Sequence, residues 1–172
     1  MQKYTFGLAS ILVAAVLDTG LMPAIADMTK IGEVLEGTAN IAQEEGTRNE
    51  FKEEGVSAAK VIIKKNGAFS WTFNIMNADP EMFSEYIGGS YNATTKEWEY
   101  KGENTTIYKS IFIKPKEGLY WKVPKAEISA VVAGELSEEG LVTLNFTVTA
   151  VSPGDDLVML MAGLVSNLPP EG

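Results

Sequence analysis

The chain has 172 residues and a formal net charge of −9. That length suits one ordinary domain, able to bury roughly two thirds of its unfolded surface without disulfides or metal. The absence of cysteine and histidine removes the commonest ligands for zinc, copper and iron, thiol nucleophiles, and triads that need an imidazole base, so no enzyme activity, metal or cofactor is expected.

Met1 to Asp27 has two readings. Lys3, the apolar run Phe6 to Leu17 and the triplet Ala24-Ile25-Ala26 imitate a secretory signal cleaved before Asp27. Asp18, Thr19 and Gly20 interrupt the approach to that site, however, and the run is too short and too broken to span a membrane, so no membrane insertion is expected. The stretch reads better as a strand or extended arm packed on its own domain or on a neighbour, with Phe6, Ile11 and Val13 as candidate subunit contacts.

From Ile31 to Gly55 the carboxylates of Glu33, Glu36, Glu44, Glu45, Glu50, Glu53 and Glu54 face only Arg48 and Lys52. In the first half, Ile31, Val34, Leu35, Thr38, Ile41 and Ala42 fit helical spacing, while Ile31, Leu35, Ala39 and Ile41 share a strand face. Gly32, Gly37, Thr38 and Asn40 are poor helix-interior residues and favour the strand. The second half, from Glu44, predicts a long exposed loop or hairpin tip. It is either a solvated face or, through Glu44, Glu45 and Arg48, a charged docking surface for a copy of the chain, with Lys60, Lys64 and Lys65 or Lys114 and Lys116 as its basic counterpart.

Ser57 to Lys65, then Asn66-Gly67, then Phe69 to Ile75 predicts a tight hairpin, because Asn-Gly accepts the positive φ angles of a type I′ turn. Phe69, Trp71, Phe73 and Ile75 alternate with Ser70, Thr72 and Asn74, which puts an aromatic face into a core. Asp79-Pro80-Glu81-Met82 opens a short helix, with Asp79 as cap and Pro80 at the first helical position, and Gly88-Gly89 closes it. Met82, Phe83, Tyr86 and Ile87 form its apolar face. A short polar hairpin follows from Ser90 to Lys101, turning at Asn92-Ala93-Thr94-Thr95, with Trp98 and Tyr100 on one face.

The most sustained period of two runs from Ile107 to Pro153. Val142, Leu144, Phe146, Val148 and Ala150 fall on one face and Thr143, Asn145, Thr147 and Thr149 on the other, the pattern of a strand with one side on a core. The limb before it sets Ala126, Ile128, Ala130 and Val132 against Lys125, Glu127 and Ser129, with Ser137-Glu138-Glu139-Gly140 as the turn between two long antiparallel strands. Leu119, Trp121 and Val123 carry the apolar phase on odd positions before Pro124 and the even positions carry it afterwards, so a bulge is expected at Pro124. No Lys or Arg follows Lys125, and a chain so acidic should repel nucleic acid rather than grip it. Leu157 to Val165 is an apolar tail, with Leu157 and Leu160 as further candidate subunit contacts.

Glu97, Glu99 and Glu103, or Asp155 with Asp156, are paired carboxylates of the kind glycosidases use, but surface acidity accounts for them. Three Asn-x-Thr triplets begin at Asn92, Asn104 and Asn145 and matter only in a secreted chain.

The order of features resembles the major tail tube proteins of long-tailed bacteriophages. The residues that carry the resemblance are Thr5-Phe6-Gly7, Ile31-Gly32-Glu33-Val34 with the acid-rich loop after it, and the helix ending at Gly88-Gly89. Further on come the run Ser110 to Gly118, Pro124-Lys125-Ala126-Glu127-Ile128, and the last strand to Pro153. The resemblance implies one mainly β domain over residues 1–172, two packed antiparallel sheets forming a β-sandwich with one short flanking helix. Residues 1–27 are expected as an N-terminal arm, 44–55 as an acidic loop and 154–172 as a C-terminal arm. It further implies self-assembly into six-membered rings that stack into a tube, a passive conduit for the genome in the virion tail, put together in the host cytoplasm. The partners implied are the chain itself and other tail proteins such as the tape measure and terminator, with DNA only in transit. Glu127, Ser129, Asn145 and Thr147 would then face the lumen. The competing expectation is a secreted or surface β-sandwich that binds or adheres, with residues 1–26 as its signal.

Overall fold

The structure, a computed structural model, describes residues 4–103 and 105–169. In chain order its strands are β1 (Phe6–Ala15), β2 (Thr29–Lys30), β3 (Asn40–Gln43), β4 (Thr47–Lys52), β5 (Ala59–Lys65) and β6 (Phe69–Ile75). The helix α1 (Pro80–Tyr86) precedes β7 (Ser90–Asn92), β8 (Glu97–Glu99), β9 (Ile107–Glu117), β10 (Leu119–Ala133), β11 (Thr143–Ala150) and β12 (Met161–Leu164). The chain is thus mainly β, with antiparallel sheets and one short helix, as the alternation of its sequence predicts.

The principal sheet has the order β2-β1-β9-β10-β11-β6-β3, with β12 added on β10. Strand β10 bends at the predicted place: its register with β9 shifts between Val123 and Ala126, and the buried Ser110 hydroxyl donates to the Pro124 carbonyl at 2.6 Å across the irregularity. Before the bend β10 pairs with β12; after it, Ala126 to Ala133 pairs with Ala150 to Thr143 of β11. The bend lets the sheet fold over on itself, and Trp121 of β10 meets Trp71 of β6 with ring centroids 6.1 Å apart. The two expected layers are therefore two parts of one curled sheet. Residues 29–43 strap its far edges together: the Ile31 amide donates to the Ile11 carbonyl and the Met76 amide to Glu33, while Val34 bridges Ile75.

The core fills the fold of this sheet. Ile11 and Val13 come from β1, Trp71, Phe73 and Ile75 from β6, and Leu144, Phe146 and Val148 from β11. Helix α1 is capped as expected, the Asp79 carboxylate accepting from the Met82 amide at 2.8 Å, and sets the buried Tyr86 edge-on to Phe146 at 5.0 Å. The β7–β8 hairpin packs on the same helix through Phe83 and Trp98, 5.2 Å between centroids, and the Trp98 indole donates to the Gly88 carbonyl.

Two expectations need correction. Asn66-Gly67 does not join a tight hairpin, because β5 pairs with β4 and β6 with β3. The four strands form one long ribbon interrupted opposite residues 44–46, where the Glu44 amide donates to the Ala68 carbonyl. Gly67 serves there as a point of close approach, since a Cβ on it would strike the Glu44 carbonyl. The C-terminal segment is not a free arm: Met161–Leu164 pairs with β10 over Lys122 to Leu119. The N-terminal segment, expected as a strand or an extended arm, is a strand on its own domain, with β1 between β2 and β9 in the sheet. The outermost parts of both expected arms, residues 1–3 and 170–172, and the triplet residue Asn104 lie outside the described residues.

Candidate assembly surfaces

The wet side of β10 and β11 continues across the sheet. Register aligns Ser129 with Thr147, Thr147 with Thr72 and Thr72 with Asn40, giving a row of hydroxyl and amide side chains over four strands, all exposed. One row along, Glu127 is opposite Thr149 and Thr149 opposite Ser70; on the other side Asn145 is opposite Asn74. Glu127, Ser129 and Thr147 are exposed and Asn145 half-buried, so the four residues singled out for this face do share it. Ser70, Thr72 and Asn74 extend it, and only their alternation with the aromatic residues of β6 signalled that in the sequence. Together these rows carry one carboxylate, Glu127, and one exposed apolar side chain, Val131 opposite Asn145, and present a mostly polar, weakly negative wall.

Thr143 departs from the expected pattern. It is buried at 7% exposure, and its hydroxyl donates to Asn145 Oδ1 at 2.8 Å, whereas Val142, expected in the core, lies outside β11 and is 36% exposed. The hairpin tip runs past the core, so alternation no longer sorts its residues: Val131, Val132, Leu136 and Leu141 are all exposed.

The acidic segment is the β4 limb of the ribbon rather than a loop. Glu44 and Glu45 lie at its junction with the body, and Arg48 pairs with Glu50 at 2.7 Å. Every residue of β4 and all but the first of β5 are exposed. Lys60, Lys64 and Lys65, considered as a basic counterpart on another copy, stand on the same ribbon, and Lys60 pairs with Glu53 at 2.9 Å. Its acids are therefore partly neutralised at home.

The apolar contacts expected at the two ends divide. Ile11 and Val13 are buried in the core at 2% and 6% exposure, so they stabilise the domain and cannot face a neighbour. Phe6 is exposed at the mouth of an open cleft of about 840 Å³ shared with Ile41, Trp71, Leu119 and Trp121. Leu160 packs against the core, and Leu157 remains partly exposed beside Gly20.

Among the described residues no group of three or more Asp or Glu is placed to hold a metal ion, and no helix is long and apolar enough to cross a membrane. Comparison with protein-family models and with curated proteins finds no match.

Proposed function

We propose that the chain is a structural protein of a phage tail, assembling into stacked hexameric rings that form a tube for genome passage. The observation that carries this reading is the polar, weakly negative wall over β10, β11, β6 and β3. A conduit for DNA must avoid holding it, because each phosphate captured by a cation strengthens the attachment and makes it depend on salt. Glu127, Ser129, Asn145 and Thr147 then line the lumen, joined by Thr72 and Asn40. The partners are other copies, with tape measure and terminator proteins at the ends of the tube and DNA in transit. Assembly takes place in the host cytoplasm and the product resides in the virion tail. The chain performs no catalysis in this reading.

The exposed ribbon and the exposed hairpin tip also support assembly, since apolar side chains on a free surface invite a partner. A secreted binding protein with residues 1–26 removed is favoured less, because that removal takes out β1 and with it Ile11 and Val13 from the core. Negative-stain electron microscopy of the purified protein, with mass measurement of the intact chain, tests the proposal. Rings or tubes of a chain that keeps residues 1–26 are expected; a monodisperse monomer beginning at Asp27 refutes it.

A further inference from the structure

The β4–β5 ribbon meets the body at its base, where residues 44–46 run opposite residues 66–68. On the body side of that junction Gln43 pairs with Phe69; on the ribbon side Thr47 pairs with Lys65. Between these pairs the two chains approach so closely that a Cβ on Gly46 would strike the Lys65 carbonyl, and one on Gly67 the Glu44 carbonyl. The ribbon depends on this junction for its position, since every residue of β4 and β5 except Ala59 is exposed.

Asn66 stands in the junction and is exposed. Among the described residues neither its side chain nor the Gly67 amide has a hydrogen-bond partner. The Gly67 nitrogen is therefore available to the Asn66 side-chain carbonyl carbon, and with no Cβ on residue 67 no side chain shields it. The other described asparagines lack this combination. Asn40, Asn77, Asn92, Asn145 and Asn167 have side chains engaged in hydrogen bonds, and Asn49 and Asn74 sit inside strands, followed by Glu50 and Ile75.

We propose that Asn66 is a site of spontaneous deamidation, and that the product uncouples the ribbon from the body. The Gly67 nitrogen attacks Asn66 Cγ and forms the new N–Cγ bond; the Cγ–Nδ2 bond breaks, and Nδ2 leaves as ammonia with the proton given up by the Gly67 amide. Water then opens the succinimide ring, and nothing is oxidised or reduced. Opening at Cγ restores the original backbone and leaves aspartate. Opening at the backbone carbonyl leaves isoaspartate, in which the main chain runs through Cβ and Cγ.

Isoaspartate lengthens the main chain by one carbon–carbon bond, about 1.5 Å. That is less than half the rise of a strand residue, roughly 3.3 Å, so the junction cannot absorb it as a slip of register. Trp71, Phe73 and Ile75 hold β6 in the core, which leaves the ribbon as the part that moves. Either product also places a new carboxylate opposite the segment that holds Glu44 and Glu45. The inference is independent of what the chain assembles into.

Incubation of the purified full chain in warm neutral buffer tests the site, read by peptide mapping with mass spectrometry and by isoaspartyl methyltransferase labelling. Residue 66 should gain the mass of an amide-to-acid exchange ahead of Asn49 and the other described asparagines, and should label as isoaspartate. Hydrogen–deuterium exchange tests the consequence: amides of β4 and β5 should lose protection in the aged chain while those of β11 keep theirs. The aged Asn66→Gln variant should match the fresh parent, because glutamine keeps the amide at an exposed position but would have to close a larger, slower-forming ring.

An Asn66 that lasts as long as Asn49 in the folded chain overturns the site. Deamidation in the urea-unfolded chain but not in the folded one overturns it too, by showing that the junction protects the Gly67 amide. Isoaspartate at residue 66 with ribbon exchange unchanged, or with the same change in aged Asn66→Gln, overturns the uncoupling.

Discussion

Replacing Phe146 by alanine tests the core and the strand register together. Phe146 is 1% exposed, stacks on Phe73 with centroids 5.2 Å apart and planes inclined by 5°, and receives the edge of Tyr86 at 5.0 Å. Truncation removes the ring from between the sheet and the helix, and a buried Phe→Ala change costs about 3–5 kcal/mol. Because Tyr86 is anchored on α1 and Phe73 in a central strand, the site has little means of collapse, which favours the upper part of that range. For a domain of this size the loss lowers the midpoint of thermal unfolding by roughly 6–20 °C. Thr147 is the adjacent residue on the exposed side, and Thr147→Ala should change stability by about 0.5 kcal/mol or less. Urea unfolding of both variants, at dilutions where association does not contribute, gives the comparison. Phe73→Ala combined with Phe146→Ala should fall short of the sum of the single losses, because the second truncation removes a contact already broken. Equal losses for Phe146→Ala and Thr147→Ala would refute the assigned register, and strict additivity with Phe73→Ala would refute the stacked pair as the source of the cost.

Burial, with the neighbouring Glu85 charge adding to it, raises the Tyr86 phenol well above its ordinary value. The unfolded chain therefore gives up this proton near pH ~10 while the folded chain retains it, so stability falls as pH rises above about 10. Tyr86→Phe should flatten that alkaline decline in urea midpoints measured from pH 8 to 11, and an unchanged slope counts against the buried phenol as its source. On the polar wall, Asn145→Lys with Thr147→Lys should leave tubes able to assemble but slow genome ejection at low salt, with recovery at high salt. Ejection like that of the parent at every salt concentration rules out this face as the lumen.

The sequence makes local structure legible where periodicity and chemistry agree. The Leu144, Phe146, Val148 alternation specifies both a strand and its buried side, and Asp79-Pro80 specifies where a helix starts. Pro124 is legible as a bulge because the apolar phase changes across it. What is illegible is partner choice between strands. Asn66-Gly67 satisfies the chemistry of a tight turn, yet β5 and β6 lie end to end, because β5 closes a local hairpin with the preceding β4 and β6 pairs with β3 beyond it. The apolar termini mislead for a related reason: Ile11, Val13 and Leu160 look surplus until β10 is known to be long enough to support β9 on both sides of its bend, β11 after it and β12 before it. The lumen candidates on β10 and β11 share a face because alternation fixes the faces of any strand, but their continuation onto Thr72 and Asn40 depends on a register that periodicity does not supply.

The ribbon is the part of the molecule whose stability most needs a partner. A two-stranded hairpin is marginal in water on its own, and β4 and β5 bury no complete face on the body, since all but Ala59 are exposed. Their outer edges both display unpaired backbone groups, an arrangement that invites association. The principal sheet treats its ends differently: β2 has two residues and β3 four, and the segment joining them straps β1 to β6. Within one chain, the edges of the body are short and covered while those of the ribbon are long and bare. The ribbon balances its charges at home, Lys60 with Glu53 and Arg48 with Glu50, whereas the tip at the far end of the sheet has acids with no cation of its own. The features that weaken the ribbon in an isolated chain, two bare edges and open apolar side chains, are thus the ones that a covering surface would turn into cohesion.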